Sequence, residues 1–373
     1  MKFSTPSSAA GLLLLLAACE YPSRGAGHLA LVLVNPVSTT VQVGDSLRLL
    51  ATPMDSAGAP MPPGPIVWLS SDTTRATVTT DGVVRGLDTG TVRISARSGE
   101  TSGWASVTLT RSPPGAEVLV GAGDIADCST EEDQATARLL DSIPGTVFTA
   151  GDDAYPSGSS RDFADCYGPT WGRHRARTRP SPGNHDHRTA GAAPYFAYFG
   201  DRAPYNYYSY DLGAWHIISL DGDLDVAAGS PQERWLRADL AATSRRCTLA
   251  YWHEPRFSSG TTHGSDAQVQ PLWQALYDAG AELVLAGHDH EYERFAPQTP
   301  TGEADPVRGI REFVVGTGGA DLYRFGAPLA NSEARNSTAW GVLKLVLNPG
   351  AYTWQFIPVA GGTFSDSGTA SCH

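Results

Sequence analysis

Five short clusters constrain this chain more than anything else in it. They are Gly123-Asp124, Gly151-Asp152-Asp153-Ala154-Tyr155, Gly183-Asn184-His185-Asp186, Trp252-His253 and Gly287-His288-Asp289-His290. Four of the five put a Gly directly before a side chain able to ligate a metal, and four directly follow a short apolar run of the kind that forms a buried strand. A fold that satisfies all five has to end several buried strands near one point. The Asp, Asn and His set suits hard and borderline cations, not thiolate-bound ones. A pair of such cations draws its ligands from several strand ends at once.

Two patterns divide the chain. Residues 28–111 read as strands throughout. Leu29 to Val34 is an apolar run, Val41, Val43, Leu47 and Leu49 recur at roughly alternate positions, and Ile66 to Leu69 reads as a core strand. Asp81-Gly82 is a hairpin signal, and Val92, Ile94 and Ala96 alternate, as do Val107 and Leu109. Many short strands at regular spacing predict an all-β sandwich. Ser112-Pro113-Pro114-Gly115 reads as a linker. Beyond it, strands alternate with helices, which predicts α/β layers. Ser230-Pro231-Gln232-Glu233 has the form of a capping box and opens a helix to about Ala242. A second helix is expected from about Ser265 to Ala279, ended by Gly280. Late strands are expected at Arg311 to Val315 and Val342 to Val346.

In this order, with Tyr155 in Gly-Asp-x-x-Tyr and with Gly287-His288-x-His290-x-Tyr292-Glu293-Arg294, the clusters resemble the calcineurin-like metallophosphoesterase superfamily and its purple acid phosphatase branch, over roughly residues 116–361. The resemblance implies a four-layer α/β (α+β) fold, a two-sheet sandwich flanked by helices. It implies one metal on Asp124, Asp152, Tyr155 and His290, and a second on Asp152, Asn184, His253 and His288, with Asp152 shared. Fe(III) plus a divalent Zn, Mn or Fe ion would occupy them, because a phenolate at Tyr155 requires a strong Lewis acid. His185 and His263 would be the catalytic histidines, the first against the phosphate and the second assisting the leaving group from a loop, 258–264, that reads as mobile. Arg256 is a further phosphate-contact candidate. The implied reaction is hydrolysis of a phosphomonoester by a metal-bound hydroxide. A phosphodiesterase or nucleotidase would use the same metals, and a surface-binding protein with a vestigial enzyme domain is the alternative of another class. Asp153 and Glu254 depart from the family pattern, Asp153 either pointing outward or adding negative charge to the site. Val43-Gly44-Asp45, Trp68 to Asp72, Ala76-Thr77-Val78 and Gly82 to Gly86 resemble group 2 bacterial Ig-like domains, which implies a stalk or adhesive module without catalytic residues.

The N-terminus reads as a targeting segment. Ala9 to Ala18 is apolar but shorter than the roughly 20 residues a span takes. Leu16-Ala17-Ala18-Cys19 resembles a bacterial lipoprotein cleavage box, which implies a lipid on Cys19 and a membrane-anchored protein of the cell envelope. The expected organisation is a signal peptide at 1–18, a tether at 19–27, the Ig-like domain at 28–111, a linker at 112–115, the catalytic domain at 116–361 and a tail at 362–373. Export leaves Cys128, Cys166, Cys247 and Cys372, an even number that suggests two disulfides. Three pairings are open. Cys128–Cys166 and Cys247–Cys372 are favoured, since the first two lie on loops near the early clusters and the last would pin the C-terminal tail. The net charge of −12 argues against a general nucleic-acid binder. The aromatic stretch of Trp171, Tyr195, Tyr198, Tyr205, Tyr207 and Tyr208 reads as packing.

Overall fold

The computed structural model describes residues 28–56, 60–62, 64–111 and 115–373. Residues 1–27, where a signal segment, a lipid-bearing Cys19 and a tether are expected, and positions 112–114 of the expected linker lie outside the described residues. The chain divides into two compact units, one running to Thr108 except for Gln42–Asp45, the other holding those four residues and Leu109 onward.

The first unit is all β, with strands β1 (Leu29–Asn35), β2 (Ser38–Gln42), β3 (Ser46–Arg48), β4 (Leu50–Asp55), β5 (Val67–Ser70), β6 (Ala76–Val78), β7 (Val83–Gly86), β8 (Gly90–Ser98) and β9 (Thr101–Thr110). They form a β1-β4 pair, a β2-β9-β8-β5 sheet and a β3-β7-β6 sheet. The period-two pattern is carried out on β8 and β9, where Val92, Ile94, Ala96, Ala105, Val107 and Leu109 are buried and their neighbours face out. One reading is corrected. Val67 and Leu69 are 53% and 54% exposed, so the run at 66–69 is an edge strand of its sheet and not a core one. Residue type alone could not show that the sheet ends there.

The second unit has two sheets. Its strands are β10 (Glu117–Ala122), β11 (Thr146–Ala150), β12 (Thr178–Ser181), β13 (Tyr208–Leu212), β14 (Trp215–Ser219), β15 (Cys247–Tyr251), β16 (Leu283–Ala286), β17 (Tyr292–Phe295), β18 (Arg311–Val315), β19 (Ser332–Asn336), β20 (Gly341–Asn348), β21 (Ala351–Pro358) and β22 (Ser367–Ser371). One sheet runs β12-β11-β10-β20-β21-β22, the other β13-β14-β15-β16-β18-β17-β19. The strands β10, β11 and β12 are mutually parallel, as are β14, β15, β16 and β18. The two sheets face each other over one apolar core. Leu119, Phe148, Leu343 and Phe356 from the first meet Ile217, Leu249, Leu285 and Phe313 from the second. The alternate residues of the second sheet, Ile218, Ala250, Val284 and Val314, point the other way. They pack under helices α5 (Pro231–Ala242) and α6 (Gln270–Asp278), through Leu236, Leu272 and Trp273. Helix α1 (Glu132–Ser142) packs on the first sheet through Ala137 and Leu140, and the short helices α2 (Ser160–Asp162), α3 (Asn184–His187) and α4 (Ala193–Phe199) fill the loops between β11 and β13. The result is the two-sheet sandwich flanked by helices.

Two local readings shift. Helix α6 begins at Gln270, not at 265. The Asp266 carboxylate accepts from Gln268 N at 2.7 Å, a turn that competes with helix. In α5 the Ser230 hydroxyl accepts from Glu233 N, but the Glu233 carboxylate reaches Gly229 N, one residue earlier than a capping box requires. Disulfides join Cys128 to Cys166 and Cys247 to Cys372, the favoured pairing. They span 38 and 125 residues, separations at which loop closure is worth on the order of 4 kcal/mol. The last 12 residues, read as a tail, carry β22, which pairs with β21. Trp171, Tyr195 and Tyr208 are buried, as packing requires, whereas Tyr205 is exposed.

Candidate metal centre

All five clusters follow the carboxyl ends of parallel strands: Asp124 after β10, Asp152 after β11, Asn184 after β12, His253 after β15 and His288 after β16. The third of these strands, β12, is Thr-Arg-Pro-Ser, too polar to be recognised as buried. Three of the candidate ligands hold left-handed backbone, Asp124 at φ 60°, Asp152 at 53° and His288 at 70°. Such a conformation costs about 1–2 kcal/mol per residue without a Gly, and strain of this kind collects at functional sites. The Gly residues before them are sites of close approach. A Cβ on Gly151, itself at φ +78°, would lie 2.4 Å from His253 Nδ1, and one on Gly183 would lie 2.4 Å from Asp152 Oδ1.

The seven side chains form one connected set. Tyr155 Oη is 3.0 Å from Asp124 Oδ1, 3.0 Å from Asp152 Oδ2 and 3.1 Å from His290 Nε2. His290 Nε2 is also 3.2 Å from Asp124 Oδ1. On the other side, His253 Nε2 is 3.2 Å from Asp152 Oδ2, 3.1 Å from Asn184 Oδ1 and 3.1 Å from His288 Nδ1. Asp152 thus touches both groups. Backbone bonds fix the tautomers. His253 Nδ1 donates to Ala150 O at 2.8 Å and His290 Nδ1 to Asp321 O at 2.7 Å, which leaves each Nε2 facing inward. The carboxylates are oriented the same way, by His288 N on Asp124 Oδ2 and His185 N on Asp152 Oδ1.

Electrostatics point to a cation. Asp124 and Asp152 are fully buried, and among the described residues neither is bonded to a Lys or Arg. An uncompensated buried carboxylate costs several kcal/mol. Burial alone would raise both carboxyls, but His290 beside Asp124 and His253 beside Asp152 hold them below the usual range. Burial, then the charges of His253 and His263, push His288 down to about 3, so it presents a neutral nitrogen. Burial, followed by the two carboxylates, pushes the Tyr155 phenol well above its ordinary value. Tyr155 therefore ionises only against a strongly charged neighbour. Two carboxylates, a phenol, an amide oxygen and three imidazole nitrogens fit a pair of cations sharing Asp152. Asp124, Asp152 and His253 alone already place three ligand atoms within 4.8 Å of one another.

The outer residues are placed as follows. His185 lies at the rim, its Nδ1 donating to Pro156 O at 2.8 Å, its Nε2 4.0 Å from Asp152 Oδ2 and its ring 4.4 Å from that of Tyr155. His263 is exposed, with its ring 3.9 Å from that of His288. Its loop, read as mobile, is heavily tied. Asp289 accepts from His263 N, Gly264 N and Ser258 Oγ, and Glu293 from Ser259 N and Oγ. Arg256 is not brought to the site. Its guanidinium donates to Pro300 O and lies over the Phe257 ring. Asp153 does not point outward. It is fully buried, its carboxylate has no hydrogen-bond partner among the described residues, and burial plus the neighbouring Asp186 push it well up. Glu254, 8% exposed, is pushed up to about 8 by burial. Sequence reading missed Tyr323, whose ring stacks on His290 at 3.9 Å and 9°. The glycine-rich turn at Gly316 to Gly319 also abuts the site: a Cβ at Gly316 would lie 2.8 Å from Asp124 Oδ2.

Comparison with known proteins agrees with this layout. The family profile for calcineurin-like phosphoesterases matches residues 106–292, and that for group 2 bacterial Ig-like domains matches residues 30–109. Purple acid phosphatase 15 of Arabidopsis thaliana is 28% identical over 252 residues, 57% of this chain and 46% of its own length. Purple acid phosphatase 18 of the same plant is 31% identical over 40% of this chain and 36% of its own. The chain spans less than half the length of these curated relatives. Among solved structures, the purple acid phosphatase PPD1 of yellow lupin (Lupinus luteus) seeds superposes with a TM-score of 0.57 at 17% identity, covering 87% of this chain and 67% of that one. GAP50, the anchor in the inner membrane complex of Plasmodium, does so at 0.56 and 14%, covering 69% and 89%. At such identities the likeness shows the fold alone. The profile match takes in half of the chain and every one of the seven converging side chains, and on it this chain belongs to the calcineurin-like phosphoesterase family, with purple acid phosphatase-like homologues and a group 2 Ig-like domain at its N-terminal side.

Proposed function

We infer that the chain is an exported, dinuclear metal-dependent phosphatase that hydrolyses phosphomonoesters. The observation that carries the reading is the connected set of seven side chains, split into two groups that share Asp152. Asp124, Tyr155 and His290 would hold one cation, for which Fe(III) suits the phenol. Asn184, His253 and His288 would hold the other, a divalent Zn, Mn or Fe ion, with a neutral amide oxygen limiting the negative charge there. When bound, such a pair supplies Lewis acidity to the phosphoryl oxygens and lowers the pKa of attacking water.

The chain's own residues do the rest. The carbonyls of Ala150 and Asp321 hold the His253 and His290 rings in register. His185, with its Nδ1 proton held by Pro156 O, turns its Nε2 toward Asp152 from the rim and is the group placed to bind a phosphoryl oxygen or move a proton. His263, tied through its backbone to Asp289, lies over His288, where a leaving group would depart. The two disulfides suit an oxidising compartment. Together with the Ig-like domain they support an envelope protein, lipid-anchored at Cys19 after removal of residues 1–18. Tether 19–27, Ig-like stalk 28–111, linker 112–115, catalytic domain 116–361 and terminal segment 362–373 complete the proposed organisation. The GAP50 likeness shows that this fold also serves a protein described as an anchor. A vestigial domain is disfavoured here because all seven positions keep ligating side chains.

The test is turnover of an aryl phosphomonoester beside the corresponding diester, with protein loaded with iron and zinc. Monoester preference with an acidic optimum is expected. Diester preference would move the assignment to the phosphodiesterase reading, and no turnover of either with two metals bound would overturn it.

A further inference from the structure

The segment from His288 to Glu293 makes two sets of bonds. His288 and His290 meet the other candidate ligands, while Asp289, Glu291 and Glu293 meet the loop at 258–264. Asp289 is fully buried and accepts from Ser258 Oγ at 2.5 Å, His263 N at 3.1 Å and Gly264 N at 2.8 Å. Glu293, also fully buried, accepts from Ser259 N and Ser259 Oγ, each at 2.7 Å. Bonds to an ionised acceptor are roughly twice as strong as neutral ones, so the carboxylates are firm anchors for a loop.

The loop is shaped to this anchor. A Cβ at Gly260 would lie 2.6 Å from Asp289 Oδ2 and 2.7 Å from Oδ1, so only Gly lets the chain close over the carboxylate. The Ser258 hydroxyl that donates to Asp289 accepts in turn from Gly260 N at 2.9 Å. On its other edge, Thr261 N donates to Arg324 O at 3.0 Å and Gly326 N to Ser259 O at 2.8 Å. The backbone of His263 is thereby fixed, while its side chain is exposed with its ring 3.9 Å from that of His288.

We propose, on the phosphatase reading above, that Asp289 is a positioning residue for departure of the leaving group. It touches neither substrate nor reacting atoms. It holds the backbone of His263 so that the imidazole stands over His288, at the side where the ester oxygen leaves. The ring proton of His263 passes to that oxygen as the P–O bond breaks, and the proton released by the attacking water restores it through solvent. Need for this proton grows with the basicity of the departing oxygen. Phenolate requires it, whereas 4-nitrophenolate leaves readily as the anion.

The test compares full-length, metal-loaded wild type, Asp289→Asn, His263→Ala and the double variant on phenyl phosphate and 4-nitrophenyl phosphate. For Asp289→Asn, kcat on phenyl phosphate is expected to fall by about 10²-fold and on 4-nitrophenyl phosphate by less than about threefold, with both KM values near wild type. In the His263→Ala background the same substitution is expected to add nothing. Gly260→Ala, which displaces the loop and keeps the carboxylate, is expected to give the same split and serves if Asp289→Asn fails to fold. Equal losses on the two esters, additive effects in the double variant, or loss of metal from Asp289→Asn would overturn the proposal. Amide hydrogen exchange over 258–264 needs no turnover. It is expected to rise in Asp289→Asn, and unchanged exchange would overturn the proposal. A wild type that hydrolyses neither ester, with exchange rising in the variant, would remove the phosphatase reading and leave the anchor standing.

Discussion

The two units of this molecule bury different things. Among the described residues of 28–111, the only buried polar side chain is Ser98, and the interior is Val, Leu, Ile and Ala at alternate positions. The second unit buries Asp124, Asp152, Asp153, Asp289, Glu291 and Glu312, several of them completely. Apolar burial stabilises at about 25 cal/mol per Å2 and needs no particular partner. A buried carboxylate has to be matched by a bond or a charge. The first unit therefore reads as a body whose sequence serves its own stability. The second gives up stability to hold charge in place, at β-strand ends whose backbone is itself strained. Function has to be argued from such a place and not from the fold.

That contrast can be broken by substitution. Asp152→Asn keeps the shape but removes the shared carboxylate. Both cations should be lost, and turnover should fall by more than the ~10–100-fold that follows from losing a group that only orients a ligand. Metal content and kcat/KM measured on the same sample check this, and retained metals would break the contrast at its centre. His185→Ala should lower kcat by about 10²–10⁴-fold while the metal content stays at the wild-type level. A loss of metal instead would make His185 structural. In the first unit, Ile94→Ala should cost about 2–5 kcal/mol in that unit's denaturant unfolding and leave kcat/KM unchanged. A catalytic effect would show that the units are not functionally separate.

The smallest effect concerns pH. Burial pushes Glu282 up to about 7, and His373, whose Nδ1 is 2.7 Å from Glu282 Oε2, is pushed down by burial. Burial thus opposes the charged form of both partners in this contact. Because the folded carboxyl titrates above its unfolded value, its contribution is complete below about pH 4.5 and is lost as pH rises through about 7. Glu282→Gln should flatten the fall in melting temperature across that window, and an unchanged slope would remove Glu282 from the account.

The candidate site was legible in the sequence because metal ligation would admit few residue types. Asp124, Asp152, Asn184, His253, His288 and His290 are residue types that can ligate a metal, and the Gly before four of them marks where backbone meets side chain. Tyr323 was not legible. It stacks on His290, but an isolated Tyr in a loop carries no pattern. Nor were the pins of the 258–265 loop, since Asp289 looks like any residue between two histidines until its carboxylate is seen to accept three bonds. Strand periodicity located β8 and β9 correctly but could not tell that β5 lies at a sheet edge, which is a property of neighbours distant in sequence.

The most direct measurement is anomalous scattering at the iron and zinc edges from crystals of the metal-loaded protein. Two peaks flanking Asp152 are predicted, the iron beside Tyr155 and His290, the zinc beside Asn184, His253 and His288. A single peak, or peaks that leave Asp152 unligated, would contradict the dinuclear centre.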